Sequence, residues 1–195
     1  MARTSGSQSA VTGPRIHATA LRLFAEQGYA AVSMRQIAAE VGVQAGALYA
    51  YTTGKQALLF DLLRAASTDL SAAWEAAPKG SGSVAHLEAF ARVEIGFRID
   101  HPWAARLASS ELRALAPDSL AAILTLRQRH EAALEAILRT GQAAGVFRIA
   151  EPRITALALL AMWSGVAFGY TDGIRPNRER VERIGWNLTR KAVGA

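Results

Sequence analysis

The stretch Ser33–Tyr51, SMRQIAAEVGVQAGALYAY, holds two short amphipathic segments hinged on Val41-Gly42-Val43. Glycine supplies the left-handed backbone that a tight turn between helices needs. Ser33 opens the first segment as an N-cap, with Gln36 three residues on as its capping-box partner. Ile37, Ala38 and Val41 share one face, which predicts burial, and Val43 turns back into the same core. The second segment, about Gln44 to Ala50, is too short to be stable alone. Upstream, Ile16, Ala20, Leu23 and Phe24 form one stripe of a helix predicted to start near Pro14 and to stop at Gly28, with Tyr29 folding back on it. Three helices joined in this way make a helix-turn-helix, in which the first two clamp the third.

A clamped third helix leaves one face free for a DNA major groove. On that face the reading places Gln44, Ala45, Gly46 and Tyr49, away from Ala47 and Leu48. Gln44 can both donate and accept at a base edge, with adenine its best partner. Ala45 and Gly46 keep the helix slim. The hydroxyls of Tyr49, Tyr51 and Thr52 suit phosphate oxygens, and Ser33 and Arg35 open the helix that crosses the backbone. Lys55 adds charge at the start of a fourth helix, whose free N–H groups also favour an anion. Spacing alone equally allows a plain helical corner whose tyrosines pack against neighbours.

The rest of the chain is helical in pattern. Its 195 residues are about half apolar and rich in alanine, with no strand alternation and no internal repeat. Helical patterns run from about Lys55 to Ala76, then near 84–99, 103–115, 118–144, 153–171 and 177–192, for about nine helices. Pro78–Ser83 reads as a linker. These patterns predict an all-α protein: a disordered arm over 1–12, a three-helix helix-turn-helix domain over 13–55 and a larger helical domain over 56–195, which would have to hold any ligand-binding and dimerisation surfaces. Cysteine is absent, which excludes disulfides and thiolate metal sites. No signal-peptide core opens the chain, so a cytoplasmic location is expected. The net charge is +6, and residues 1–60 hold half of it through Arg3, Arg15, Arg22, Arg35 and Lys55 against Glu26 and Glu40. A basic excess suits a polyanion but does not establish one.

The run from Arg15 to Leu63 resembles the DNA-binding domain of TetR-family transcriptional regulators. Leu23-Phe24, Gly28-Tyr29, Ile37-Ala38, Val41-Gly42-Val43, Gly46-Ala47-Leu48-Tyr49 and Lys55 with Leu58 carry the resemblance, in order and at the family's spacing. Two positions depart from it. Tyr51-Thr52 stand where the family commonly has His-Phe, and Gln44-Ala45 replace the usual Ser/Thr before the helix 3 glycine. The resemblance implies a homodimer on an operator, released by a small molecule bound in the C-terminal helices.

Those helices contain candidates for both tasks. Phe90, Phe97, Trp103, Leu107, Leu124, Met162 and Trp163 are large apolar groups that could surround a cavity, with Arg127 (or Arg98) to pair a ligand phosphate. Ile154–Tyr170 is uncharged but short for a membrane span. Within it Ala161, Gly165 and Gly169 recur every fourth residue and, with Phe168, suit a close helix contact across a dimer. The C-terminal region also resembles the regulator subgroup that senses acyl-CoA thioesters and related lipids. The chain has no catalytic set: His17, His86, His101 and His130 are scattered, and no HExxH, nucleophile elbow or phosphate loop occurs. An enzyme or a membrane-associated interaction protein are the competing classes. No metal or cofactor is expected, and the partners are double-stranded DNA, a small-molecule effector and a second copy.

Overall fold

The computed structural model describes residues 5–168 and 177–195, with side chains over 11–165 and from 177 onward. Among the described residues it is all-α, with nine helices and one 3₁₀ turn. The helices are α1 (Ser5–Gln27), α2 (Met34–Val41), α3 (Ala45–Leu48), α4 (Lys55–Ala76), α5 (Ser83–Asp100), α6 (Pro102–Ser110), α7 (Pro117–Ala143), α8 (Pro152–Phe168) and α9 (Arg178–Val193). The turn, Leu112–Ala114, joins α6 to α7.

Helix ends follow the chemistry read from the sequence, with two differences. Gly28 leaves α1 at φ 85°, and Tyr29 sets its ring edge-on to Phe24 at 5.3 Å. Gly42 takes φ 79° and ψ 33° after α2. Ser33 Oγ accepts the Gln36 N–H at 3.1 Å. The return half of the capping box is absent, because the Gln36 side-chain amide donates to Gln27 Oε1 at 2.9 Å. The second difference lies in α1. Residues 5–12, expected as a disordered arm, are its first turns, and Pro14 lies inside the helix. A proline there removes one backbone hydrogen bond, and the helix continues through it.

Two apolar cores organise the molecule. The first gathers Ile16, Leu23 and Phe24 of α1, Ile37 and Val41 of α2, Leu48 of α3 and Leu58, Leu59, Leu62 and Leu63 of α4. It also takes Leu107, Leu115 and Ile123 from α6, the α6–α7 corner and α7. The second joins α5, α7, α8 and α9 through Phe90, Ile95, Leu134, Leu138, Trp163 and Trp186. A boundary at residue 55 therefore cuts α4 ahead of the leucines that close the first core. Helical amphipathicity reports that a face is buried, but not against which partner, so the contribution of α6 and α7 to this core was not readable.

Beside the first core, the Gln56 amide grips the α6–α7 corner through both of its polar atoms. Its Nε2 donates to the Ala114 carbonyl at 2.7 Å, and its Oε1 accepts the Ala116 N–H at 3.1 Å. Another tie joins α5 to α9, where Arg178 donates to both Asp100 oxygens at 2.8 and 2.6 Å. Hydrogen bonds to Glu182 and Asp100 hold the Arg178 guanidinium above its ordinary value, against a smaller effect of burial.

Candidate nucleic-acid interface and ligand cavity

Residues 42–44 turn the chain from α2 into α3, with Val43 N–H bonded to the Ala38 carbonyl at 2.9 Å. Leu48 is fully buried and pins α3 on the first core. Opposite it the helix is bare. Gln44, Gly46, Ala47 and Tyr49 are exposed, Tyr49 at 59%. A Cβ at Gly46 would meet nothing within 4 Å, so packing within the chain does not demand a glycine there. The outer set differs from expectation at one pair. Ala45 leans onto the core and Ala47 faces out, because a single turn of helix carries too few residues for a periodicity to define its face.

The polar residues around α3 separate into free and engaged groups. Ser33 is exposed while capping α2. Arg35 is exposed and joins no ion pair among the described residues. By contrast Arg15 Nη2 donates to the Val41 carbonyl at 2.8 Å, and Arg22 pairs with Glu26 and Glu40. Tyr51 is half-buried, its ring 3.5 Å from where a Cβ at Gly13 would stand. Thr52 is a correction. It is 8% exposed, and its Oγ1 donates to the Gly54 carbonyl at 3.0 Å while accepting the Gly54 N–H at 3.4 Å. That hydroxyl is taken up by the turn before α4. Lys55 is also engaged: its Nζ lies 4.1 Å from the Tyr29 ring centroid and donates to the Ala30 carbonyl at 3.4 Å. Burial lowers its pKa, opposed by Glu111.

The helical body holds a half-enclosed cavity of about 180 Å³ between α4, α5, α6, α7 and α8. Of the residues predicted for one, Phe97, Arg127 and the alternative Arg98 line it. The others lie elsewhere. Phe90 and Trp163 are packed in the second core with ring centroids 6.1 Å apart. Met162 packs against that core. Trp103 and Leu107 belong to the first core. Leu124 is exposed. Large apolar side chains are simply the commonest core fillers, so size did not separate wall from core.

On the polar side of this cavity, sequence reasoning missed Glu94, His130 and Ser164. Glu94 is fully buried. Arg98 Nη1 donates to its Oε2, and the His130 ring N–H (Nε2) bonds its Oε1 at 2.5 Å. Arg98 Nη2 reaches Ser164 Oγ at 3.1 Å. Burial pushes the Glu94 carboxyl up, but Arg98 and His130 together outweigh it and hold the carboxylate below its ordinary range. A signal existed: Glu94 follows Leu87, Phe90 and Ala91 on the buried face of α5, four residues before a basic partner. Likewise Arg127-Gln-Arg-His130 is a polar run, yet only Gln128 and Arg129 of it are exposed.

On the far side, α8 and α9 expose a band of apolar residues. Ile154 and Leu157 stand out from α8, and Ile184 and Leu188 from α9. Ala161 and Gly165 are exposed in line with the α8 pair, and a Cβ at Gly165 would meet nothing within 4 Å. The Phe168 side chain and Gly169, predicted for the same strip, lie outside the described residues.

A helix-turn-helix with an open outer face, carried on a helical body with a cavity, defines a DNA-binding regulator with a ligand domain. The model for bacterial regulatory proteins of the tetR family matches residues 16–62, and the model for the tetracyclin repressor-like C-terminal domain matches residues 80–192. The chain belongs to the TetR family of transcriptional regulators. A tetR-family regulatory protein from Rhodococcus RHA1 is 25% identical, with 94% of this chain and 97% of that chain covered at a TM-score of 0.87. AibR, solved with isovaleryl coenzyme A and operator DNA, is 22% identical over 91% of this chain and 97% of its own, at a TM-score of 0.76. The uncharacterized HTH-type regulator YerO of Bacillus subtilis (strain 168) is 47% identical over 45 residues, 23% of this chain and 16% of that protein. This chain thus matches less than a fifth of the length of that relative. Among the described residues no helix is long and apolar enough to cross a membrane.

Proposed function

We propose that this chain is a homodimeric repressor that two α3 helices seat on a near-palindromic operator and that a small hydrophobic ligand releases. The observation that carries the reading is the uncovered outer face of α3. A mid-helix glycine costs about 0.8–1.0 kcal/mol against alanine, and at Gly46 no neighbour within the chain requires it. Close approach of a duplex does. Gln44 then reads a base edge, Ala47 suits a thymine methyl, and Ser33, Arg35, Tyr49 and Tyr51 position the backbone.

Two copies must stand about 34–36 Å apart to reach successive major grooves. The apolar band of Ile154, Leu157, Ala161 and Gly165 with Ile184 and Leu188 is the face on which a second copy would pack as a four-helix contact. Ligand in the cavity touches Ala66, Ser67 and Leu70 of α4. The start of α4 is bound to the α6–α7 corner by Gln56, so a shift of either element is felt at the DNA-reading end. An acyl-CoA ligand, suggested by the C-terminal resemblance and by what AibR binds, could place only its acyl end in 180 Å³. The reading needs no catalysis and places the protein in the cytoplasm with its DNA.

Selection of binding sites from random duplexes, followed by footprinting, tests this. The expected result is a protected two-fold site bound by a dimer and vacated when a cavity ligand is added. Failure to enrich any sequence would sink the reading.

A further inference from the structure

The charges around the cavity are not balanced group by group. Glu94 is committed to Arg98 and His130, and Arg98 also donates to the Glu94 carbonyl and Ser164. Arg127 has no such partner. Its Nη2 donates to the Ala108 carbonyl at 2.5 Å, and among the described residues it forms no ion pair. Glu131, one turn further along α7, also lines the cavity but does not reach it. A guanidinium offers five N–H donors in a planar fork suited to a carboxylate. Here one backbone oxygen answers that fork, on a side chain withdrawn from solvent by α6 and α7. Burial lowers its pKa, Glu131 opposes the shift, and the nearby Arg98 adds to it.

We propose that the cavity takes a compact organic monocarboxylate, its carboxylate on Arg127 and its apolar body against Leu70, Phe97, Leu126 and Leu160. The inference deepens the effector reading above and rests on it for its biological meaning. Size sets the scale of the body. An engineered apolar cavity of about 150 Å³ takes up benzene, whereas drug-sized ligands occupy roughly 300–1,000 Å³. At about 180 Å³ the half-enclosed space fits one ring or a short chain. Of the two carboxylates in the lining, Glu94 is already paired with Arg98, so a cation would have Glu131 alone and would sit beside the unpaired Arg127. A neutral ligand would shut Arg127 away from water without replacing that water. A thioester carbonyl carries no charge to offer at this point, and its coenzyme would have to remain outside.

The test is calorimetry on the full chain with benzoate and hexanoate, their matched amides benzamide and hexanamide, and hexanoyl-CoA. Acids should bind at least about tenfold more tightly than their amides, as hydrogen bonds to charged groups allow. Arg127→Gln should erase that preference, and Arg127→Lys should retain part of it. The wild-type comparison of acid with amide stands even if a variant folds poorly. Equal binding of acid and amide, no binding of either acid, or binding of hexanoyl-CoA without hexanoate would each overturn the proposal. DNA release separates the two readings. If hexanoyl-CoA vacates the selected operator and the acids do not, regulation stands and the carboxylate proposal fails. If no operator is found yet the acids bind through Arg127, the reverse holds.

Discussion

The outer face of α3 and the floor of the cavity are both polar, and they are built on opposite terms. Around α3 the functional groups are exposed: Arg35 on α2, Gln44 and Tyr49 bond to no other side chain among the described residues. In the cavity, Glu94, Arg98, His130 and Ser164 are bonded to one another within the fold, whereas Arg127 and Glu131 join no ion pair among the described residues. A group held in water can be replaced with little effect on stability. A group inside a buried network cannot, since each partner left behind is a desolvated charge or dipole. The first region should therefore respond to mutation in binding, and the second in folding as well.

The largest effect that would break this contrast lies at Glu94. Glu94→Ala strands Arg98 and His130 and should cost about 3–5 kcal/mol in urea denaturation, while Arg35→Ala should stay within about 0.5 kcal/mol. Similar losses for the two variants would dissolve the distinction. Acidification probes the same network. The folded Glu94 carboxyl titrates below its ordinary value of 4.5, so its contribution is complete above that pH and is lost as pH falls through the lower folded value. Replacing it with Gln should flatten the acid limb of a stability–pH curve measured relative to neutral pH.

At the DNA face the effects are smaller and specific. Gln44→Ala should lose about 1–3 kcal/mol of discrimination at one base pair and leave other positions unchanged, as measured by competition among operator variants. Arg35→Ala should weaken all sequences alike and lower the salt slope by about one. Lys55→Met sharpens the comparison at its edge. With the ammonium over Tyr29, it should cost about 0.5–1 kcal/mol of stability and leave the salt slope intact. A lowered slope would show that Lys55 leaves the ring for a phosphate.

Legibility in the sequence followed the same division. The α1–α4 corner could be read because caps, a Gly42 turn and apolar stripes are local signals, and local signals specify local structure. They placed Ser33, Gly28 and the start of α4 at Lys55 correctly. They failed where a tight turn or a helix of one turn leaves a side chain's direction open, and where an outcome depends on distant chain. Thr52 seemed a free hydroxyl until Gly54 was seen to take it, and Ala45 and Ala47 exchanged faces on a helix of one turn. The cavity was harder still. Five helices define it, and its wall residues alternate with core residues of the same chemical type, so Phe90 and Trp163 could not be told from Phe97. What did mark it was polarity out of place, at Glu94 and at Arg127 with His130, and that deserved more weight than the aromatic residues.

Leu107, Leu115 and Ile123 complete the core beneath the DNA-reading corner, although α5 and the whole 78–83 linker separate them from it in the chain. A ribosome making this protein exports α1 to α4 long before those three residues emerge. Until residue 123 is out, the nascent corner has an open underside of leucines, and the DNA-binding end matures only once the body has begun to form.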